Sequence, residues 1–355
     1  MPELPEVERA AQLMKQNAQG RVIERVETVE DNIVFSGDSN KQFEDEITGR
    51  KVKNVARYGK VFYVELDGEG KMPVLHFGMT GNIHIKGQTP IYYKEGPRKG
   101  DEEWPPRFMK FILHLSAIES SPATQIAFVD ARRLGRIRLC KSPLSELPIS
   151  ALGFDPILSM PPLEEFSESV LKRSCPIKAL LLDQTFSAGV GNWVADEILY
   201  HARVHPEQRC DSLSQDQISS LHEHTAGICR TAVDVNADAS KFPEHWLFKH
   251  RWGKGKKAKK GKEFDGLKLP SGDPATIKWL KVGGRTSAFV AELQHLVGNT
   301  TGRSKAKSKV RSKSQDDTVS GQSELSALSD DEAEETVAPA PRKRRGTQVC
   351  TLVVL

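Results

Sequence analysis

Several features are missing from this chain, and each absence narrows what it can be. No run of eighteen apolar residues occurs, so no segment reads as a bilayer-spanning helix. The N-terminus is acidic and has no apolar core region, so no secretory leader is expected. No C-x-x-C pair exists among the five scattered cysteines (Cys140, Cys175, Cys210, Cys229, Cys350). That argues against a disulfide framework and against a cysteine-rich zinc site. The nearby histidines His222 and His224 stand two apart on a candidate helix and so point to different faces. No metal site and no nucleotide-cofactor motif is read.

What is present describes a soluble globular protein. The 355 residues leave room for two folded domains and a tail, with 38% apolar and 28% charged content. The net charge of +4 is mild but unevenly spread. Lys254 to Lys262 and Arg303 to Lys313 are basic runs, and Asp330 to Glu335 is acidic. Such basic blocks either attract polyanions, nucleic acid first, or serve as solvated linkers.

Residues 5–18 have helical spacing in Val7, Ala10, Ala11 and Met14, with Gly20 as the stop. From 22 to about 140, eight short alternating runs bounded by Gly, Pro, Asp or Asn predict a β-sandwich or barrel. Residues 86–106 read as a long loop between two strands. A Pro-rich linker, 143–162, precedes a change to helical period. Helices are expected at 162–174, 176–184 and 192–204, and at 214–233, where Ser214 and Gln217 form a capping box. A β-hairpin is expected within 244–298, after the basic insert. Beyond Gly298 the chain cannot bury enough surface to offset its ordering entropy, and disorder is expected. Pro341 to Arg345 is a short basic cluster of nuclear-localisation type, and Cys350 lies too far from the end for prenylation.

Two short segments carry chemistry. Removal of Met1 leaves Pro2 as a free secondary amine beside the Glu3 carboxylate. Such an amine attacks an electrophilic sugar carbon and forms an iminium that acidifies the neighbouring C–H. With a reference pKa of ~8, an α-amino group is roughly one-tenth neutral near pH 7, far more than a lysine at ~10.4. Proline is more basic than that reference, so local tuning is needed. The plainer reading is a helix start, with Glu3, Glu6 and Glu8 complementing the dipole. The second segment, Leu181 to Pro206, reads helix, Gly-rich turn, helix. Gly189 and Gly191 permit close backbone approach to a ligand, and the next helix offers free N–H groups to an anion. Asn192 is placed to cap that helix or to donate to a phosphate.

Together, MPELPEVE and LLDQTFSAGVGNWVADEILYHARVHP closely resemble the formamidopyrimidine-DNA glycosylase (Fpg/Nei) family, over about residues 2–298. The resemblance implies that Pro2 is the nucleophile at C1′ of a damaged nucleotide, Glu3 its acid/base partner and Glu6 a supporting carboxylate. It implies a phosphate-binding set of Lys60, His76, Asn192 and Arg285, with Lys60 counted among the catalytic residues. Lys178 matches a lysine implicated in handling oxidised guanine. Met79 and Arg132 match the side chains that fill the void left by an extruded base, and Leu134 stands where the family usually has Phe. The second segment is similar to the family's helix–two-turn–helix element. Val290 and Leu293 stand where bacterial members have zinc-binding cysteines, which resembles the zincless finger of the plant and fungal branch. The stretch after 214–233 is shorter than the bacterial loop over 8-oxoguanine.

The resemblance implies an α+β multi-domain chain. An N-terminal helix and antiparallel β-sandwich (2–142) would be followed by a linker (143–162). A helix–two-turn–helix domain (163–298) would end in a zincless-finger hairpin (about 244–298), before a disordered charged tail (299–355). The implied activity is a bifunctional DNA glycosylase and abasic-site lyase of base-excision repair. It would excise oxidised purines through a Pro2 Schiff base and cut the strand by β,δ-elimination. Formamidopyrimidines and hydantoins are expected ahead of 8-oxoguanine. No cofactor or metal is expected, and no membrane partner. Damaged double-stranded DNA is the expected partner of a nuclear monomer whose tail binds DNA or repair partners. The alternative is a non-catalytic damaged-DNA-binding protein; a basic nuclear scaffold would explain only the tail.

Overall fold

Apolar side chains alternating with polar ones need a covered face, and eight strands supply it in pairs of sheets. In the computed structural model, which describes residues 2–89, 103–253 and 266–297, these strands are β1 (Ile23–Thr28), β2 (Val52–Tyr58), β3 (Val61–Leu66), β4 (Met72–His76), β5 (Asn82–Ile85), β6 (Met109–Leu115), β7 (Thr124–Val129) and β8 (Arg136–Cys140). They form two antiparallel four-stranded sheets, ordered β1-β6-β7-β5 and β2-β3-β4-β8. The inner faces enclose one apolar core, in which Phe62, Phe77, Phe111 and Phe128 lie ring against ring. The sandwich, rather than a closed barrel, is thus the architecture. Part of the 86–106 loop, the Lys254–Lys262 insert and the whole charged tail lie outside the described residues.

One helix in this half falls where only strands were expected. Residues Asn40–Ile47 (α2) begin at Ser39, whose hydroxyl accepts from Gln42 N at 3.1 Å while the Gln42 side chain accepts from Ser39 N at 2.7 Å. Phe43 and Ile47, one turn apart, enter the sandwich core.

Helix α1 (Leu4–Ala18) ties the two halves together. Val7, Ala10, Ala11, Met14 and Ala18 pack into the sandwich, whereas Leu4 belongs to the second, helical core. That core is built by α3 (Leu163–Leu171), α4 (Ile177–Leu182), α5 (Asn192–His201) and α6 (Gln215–Asp234) around fully buried Trp193. Phe242, Trp246 and Phe248, from the segment after α6, surround the Trp193 ring. The backbone of Leu247 and Phe248 is held by the buried Glu197 carboxylate at 2.9 and 2.8 Å.

Within the 143–162 segment a buried carboxylate anchors the connection between the two halves. Asp155 is fully buried and accepts from Gly59 N (2.8 Å), Ile157 N (2.9 Å) and Leu158 N (3.0 Å). It also pairs with Arg57, whose Nε reaches Glu8 of α1 at 2.7 Å. This ion-pair chain fixes the β2–β3 turn on which Lys60 sits.

The C-terminal hairpin pairs β9 (Ile277–Val282) with β10 (Arg285–Val290) across the Gly283–Gly284 turn, where both glycines have positive φ. Its inner face packs Ala288 and Val290 with Tyr200, Leu247 and Leu267, and Leu293 packs against the edge. Hydrophobic burial therefore holds the hairpin against the rest of the fold.

Candidate active site

The two motifs, about 180 residues apart in sequence, are in direct contact. Glu3 N–H donates to Glu6 Oε2 at 2.9 Å, Leu4 N–H donates to Gly189 O at 3.0 Å, and Lys60 Nζ donates to Val190 O at 2.9 Å. The Glu3 carboxylate accepts from Trp193 N and Val194 N, each at 3.0 Å.

These contacts correct two expectations. The helix N-terminus at α5 does bind an anion, but that anion is the protein's own Glu3. Asn192 does not cap the helix: Gly191 holds the cap position and Glu3 satisfies the orphan N–H groups. The glycines likewise make room for the N-terminus of this chain. A Cβ at Gly191 would lie 2.2 Å from Glu3 Cδ, and one at Gly189 would lie 2.8 Å from Leu4.

Burial sets the electrostatics. Glu3 is 2% exposed, and desolvation raises its pKa although Lys60 and the two helix N–H groups pull it down. Glu6, buried beside Glu3, is pushed up to about 7 by desolvation and by the neighbouring carboxylate. His76 is pushed down to about 4 by withdrawal from water and by Lys60, Arg136 and Arg138. Its Nδ1 accepts from Gly78 N at 3.1 Å, so at neutral pH the imidazole is uncharged with its proton on Nε2.

Asn192 Nδ2 donates to Thr286 O at 3.0 Å and so couples α5 to β10, just after Arg285 at the hairpin turn. One amide hydrogen of Asn192 is left over for a ligand. Lys178 sits inside a buried charge network. It is fully buried, and its Nζ pairs with Asp196, which also binds Arg251 at 2.7 Å and Ala288 N at 3.1 Å. Desolvation lowers the Lys178 pKa against the pull of Asp196. Fully buried and paired, Lys178 ties α4, α5 and β10 together through Asp196.

Met79 and Leu134 are half-buried and Arg132 is exposed, on the β4–β5 and β7–β8 loops. A buried carboxylate joins the two loops. Asp130 accepts from Thr80 Oγ1 (2.6 Å), Arg132 N (3.1 Å) and Gly135 N (2.6 Å), and Arg132 N also reaches Thr80 Oγ1 at 3.2 Å. The void-filling candidates are thereby brought together, some distance in sequence from Pro2.

Sequence reasoning did not find Asp130, Asp155 or Asp196. An acid set in an otherwise apolar stretch, as Asp155 in LGFDPIL or Asp196 beside Glu197 in NWVADEIL, is the one local sign that could have marked two of them.

The chain matches the family model for the formamidopyrimidine-DNA glycosylase N-terminal domain over residues 1–137 and that for the H2TH domain over 152–244. It is 42% identical over 299 residues to a formamidopyrimidine-DNA glycosylase of Arabidopsis thaliana, covering 84% of this chain and 72% of the relative. A namesake from Pelotomaculum thermopropionicum is 31% identical over 268 residues, covering 72% and 90%. Among solved structures, Lactococcus lactis formamidopyrimidine-DNA glycosylase bound non-covalently to DNA with an AP site superposes with a TM-score of 0.62 at 23% identity, covering 82% of this chain and 99% of that one. MutM in complex with DNA containing carbocyclic 8-oxo-G gives a TM-score of 0.64 at 24% identity, covering 83% and 100%. These two similarities concern the fold.

Proposed function

The chain belongs to the formamidopyrimidine-DNA glycosylase family, and from that premise we propose how its buried N-terminal site works. It is a DNA glycosylase of base-excision repair, with damaged DNA as its partner and abasic-site lyase activity. The observation that carries the reading of the site is Glu3. Its carboxyl is buried next to Pro2 and held by the α5 N-terminus with Lys60 nearby.

Once Met1 is removed, the Pro2 nitrogen attacks C1′ of the damaged nucleotide and the base leaves with the glycosidic electron pair. Glu3, buried beside Pro2, is placed to deliver a proton to the sugar-ring oxygen as the ring opens to an iminium. Loss of a proton from C2′ expels the 3′ phosphate, and a second elimination expels the 5′ phosphate. Glu6 holds the Glu3 N–H and so fixes the peptide that carries the amine. Lys60, His76, Asn192 and Arg285 then serve as phosphate donors, His76 as a neutral Nε2–H. Met79, Arg132 and Leu134 fill the space left by extrusion.

Formamidopyrimidines and hydantoins are the preferred lesions in this reading, ahead of 8-oxoguanine. Its support is the segment after α6, which spends Phe242, Trp246 and Phe248 on the core around Trp193. A nuclear monomer whose hairpin acts as a zincless finger completes the proposal, supported by the basic Pro341–Arg345 cluster and the apolar packing of Val290.

Borohydride trapping on an abasic-site duplex tests the site. The mature protein should form a covalent adduct that Pro2→Gly abolishes. No adduct at any pH between about 6 and 8 would leave a non-catalytic damage-binding protein.

A further inference from the structure

Beside the loops that carry Met79 and Arg132, the segment just before β6 carries an aromatic ring that no step above uses. Phe108, just before β6, is 47% exposed and is the only exposed aromatic side chain among the described residues. Its backbone adopts φ +64°, a left-handed conformation that costs a bulky residue free energy. Among the described residues, three of the four other non-glycine residues with positive φ, Arg203, Asn236 and Ala237, follow the ends of α5 and α6, where such caps are ordinary. The fourth, Arg133, lies in the β7–β8 loop itself.

Phe108 hangs from the same staple as the void-filling candidates: its carbonyl accepts from Asp130 N at 3.0 Å. The Arg107 guanidinium carbon lies 4.5 Å from the Phe108 ring centroid and backs one face with a cation. The surroundings are electropositive. Lys110 and Arg133 share the single Asp31 carboxylate, and Arg132 is exposed beside them. A strained backbone that presents a half-exposed ring, backed by Arg107, leaves the other face open to a ligand. A flat π-face attached to a polyanion fits the ring and the cations together, whereas Leu134 offers no π-face.

We propose that Phe108 stacks on the base opposite the damaged nucleotide once that nucleotide is extruded, and thereby contributes to opposite-base selectivity. This rests on the glycosylase reading above. Stacking of this kind is sequence-tolerant but favours the larger purine surface.

The test uses the full-length mature protein, Phe108→Ala, Phe108→Leu and Phe108→Trp, and duplexes with an abasic-site analogue opposite each of the four bases. Phe108→Ala and Phe108→Leu should weaken binding about ten-fold with a purine opposite, and less with a pyrimidine. The salt slope should not change, because no phosphate contact is lost. With 2-aminopurine opposite the site, wild type and Phe108→Trp should quench its fluorescence, and Phe108→Ala and Phe108→Leu should not. Undiminished quenching and affinity in both truncated variants, alongside normal borohydride trapping by wild type, would overturn the stacking role alone. A wild type that traps nothing would overturn the enzymatic reading and this proposal with it.

Discussion

Replacing Gly191 with alanine probes the contact between the two motifs with a single methyl group. Gly191 has φ −123°, a conformation that alanine adopts without strain, so the backbone is not the target. The new Cβ would lie 2.2 Å from Glu3 Cδ and 2.6 Å from Glu3 Oε1. The carboxyl is the far end of a flexible side chain and can swing aside. Doing so gives up two hydrogen bonds of 3.0 Å from the α5 N-terminus in a site that water barely reaches. Hydrogen bonds to charged groups contribute about 1.5–3 kcal/mol each, and partial relaxation recovers some of the loss, so a net cost of about 3 kcal/mol is expected. For a folded region of this size that lowers the melting temperature by roughly 6–12 °C. Activity should suffer more than stability. Loss of the proposed acid/base group would cost on the order of 10²–10⁴ in rate, whereas the proposed DNA contacts at Arg132 and Arg285 lie outside the substituted contact. Single-turnover excision, borohydride trapping and thermal melting on one preparation measure both effects. Wild-type trapping rates combined with a wild-type melting temperature in Gly191→Ala would refute the claim that Glu3 is held in place through this helix.

Three further outcomes follow from buried charge. Glu6 is raised to about 7 in the fold from an ordinary 4.5. Its stabilising effect is therefore fully present below about pH 4.5 and lost as pH rises through 7, by up to about 3 kcal/mol. Glu6→Gln keeps an acceptor for Glu3 N and should flatten urea-derived stability across that window; an unchanged pH slope would contradict the assignment. Arg57→Met strands Asp155 as an uncompensated buried charge and should cost about 3–5 kcal/mol by chemical denaturation, and a loss under 1 kcal/mol would show that Asp155 finds another partner. Lys178→Met should lower stability by about 3 kcal/mol. It should also leave the ratio of rates on different lesions unchanged, and a selective loss on one lesion would return Lys178 to the binding pocket.

Much of the fold was legible because strands and helices advertise themselves within a few residues. All eight sandwich strands and the capping box at Ser214 emerged from local period and turn chemistry. Helix α2 was legible too, since Ser39, Gln42, Phe43 and Ile47 form the same kind of signature, but it lay inside a run of strands and was passed over. Asn192 shows the opposite limit. Its position before a helix suggested a cap, yet the cap came from Glu3, far away in sequence.

The sequence by itself determined the pairing of the candidate nucleophile with its neighbouring carboxylate, because Pro2 and Glu3 are joined covalently. It also determined the resemblance that names their chemistry, and the order of strands and helices. Only the tertiary structure decided what Glu3 binds, why Gly191 must lack a side chain, and that Lys178 faces Asp196. The same holds for Asp130, which staples the loops bearing Met79, Arg132 and Phe108. The physical reason is that a buried charge is satisfied by whatever the fold brings within about 3 Å. Partners nearly 200 residues apart leave no mark on the residues beside either of them.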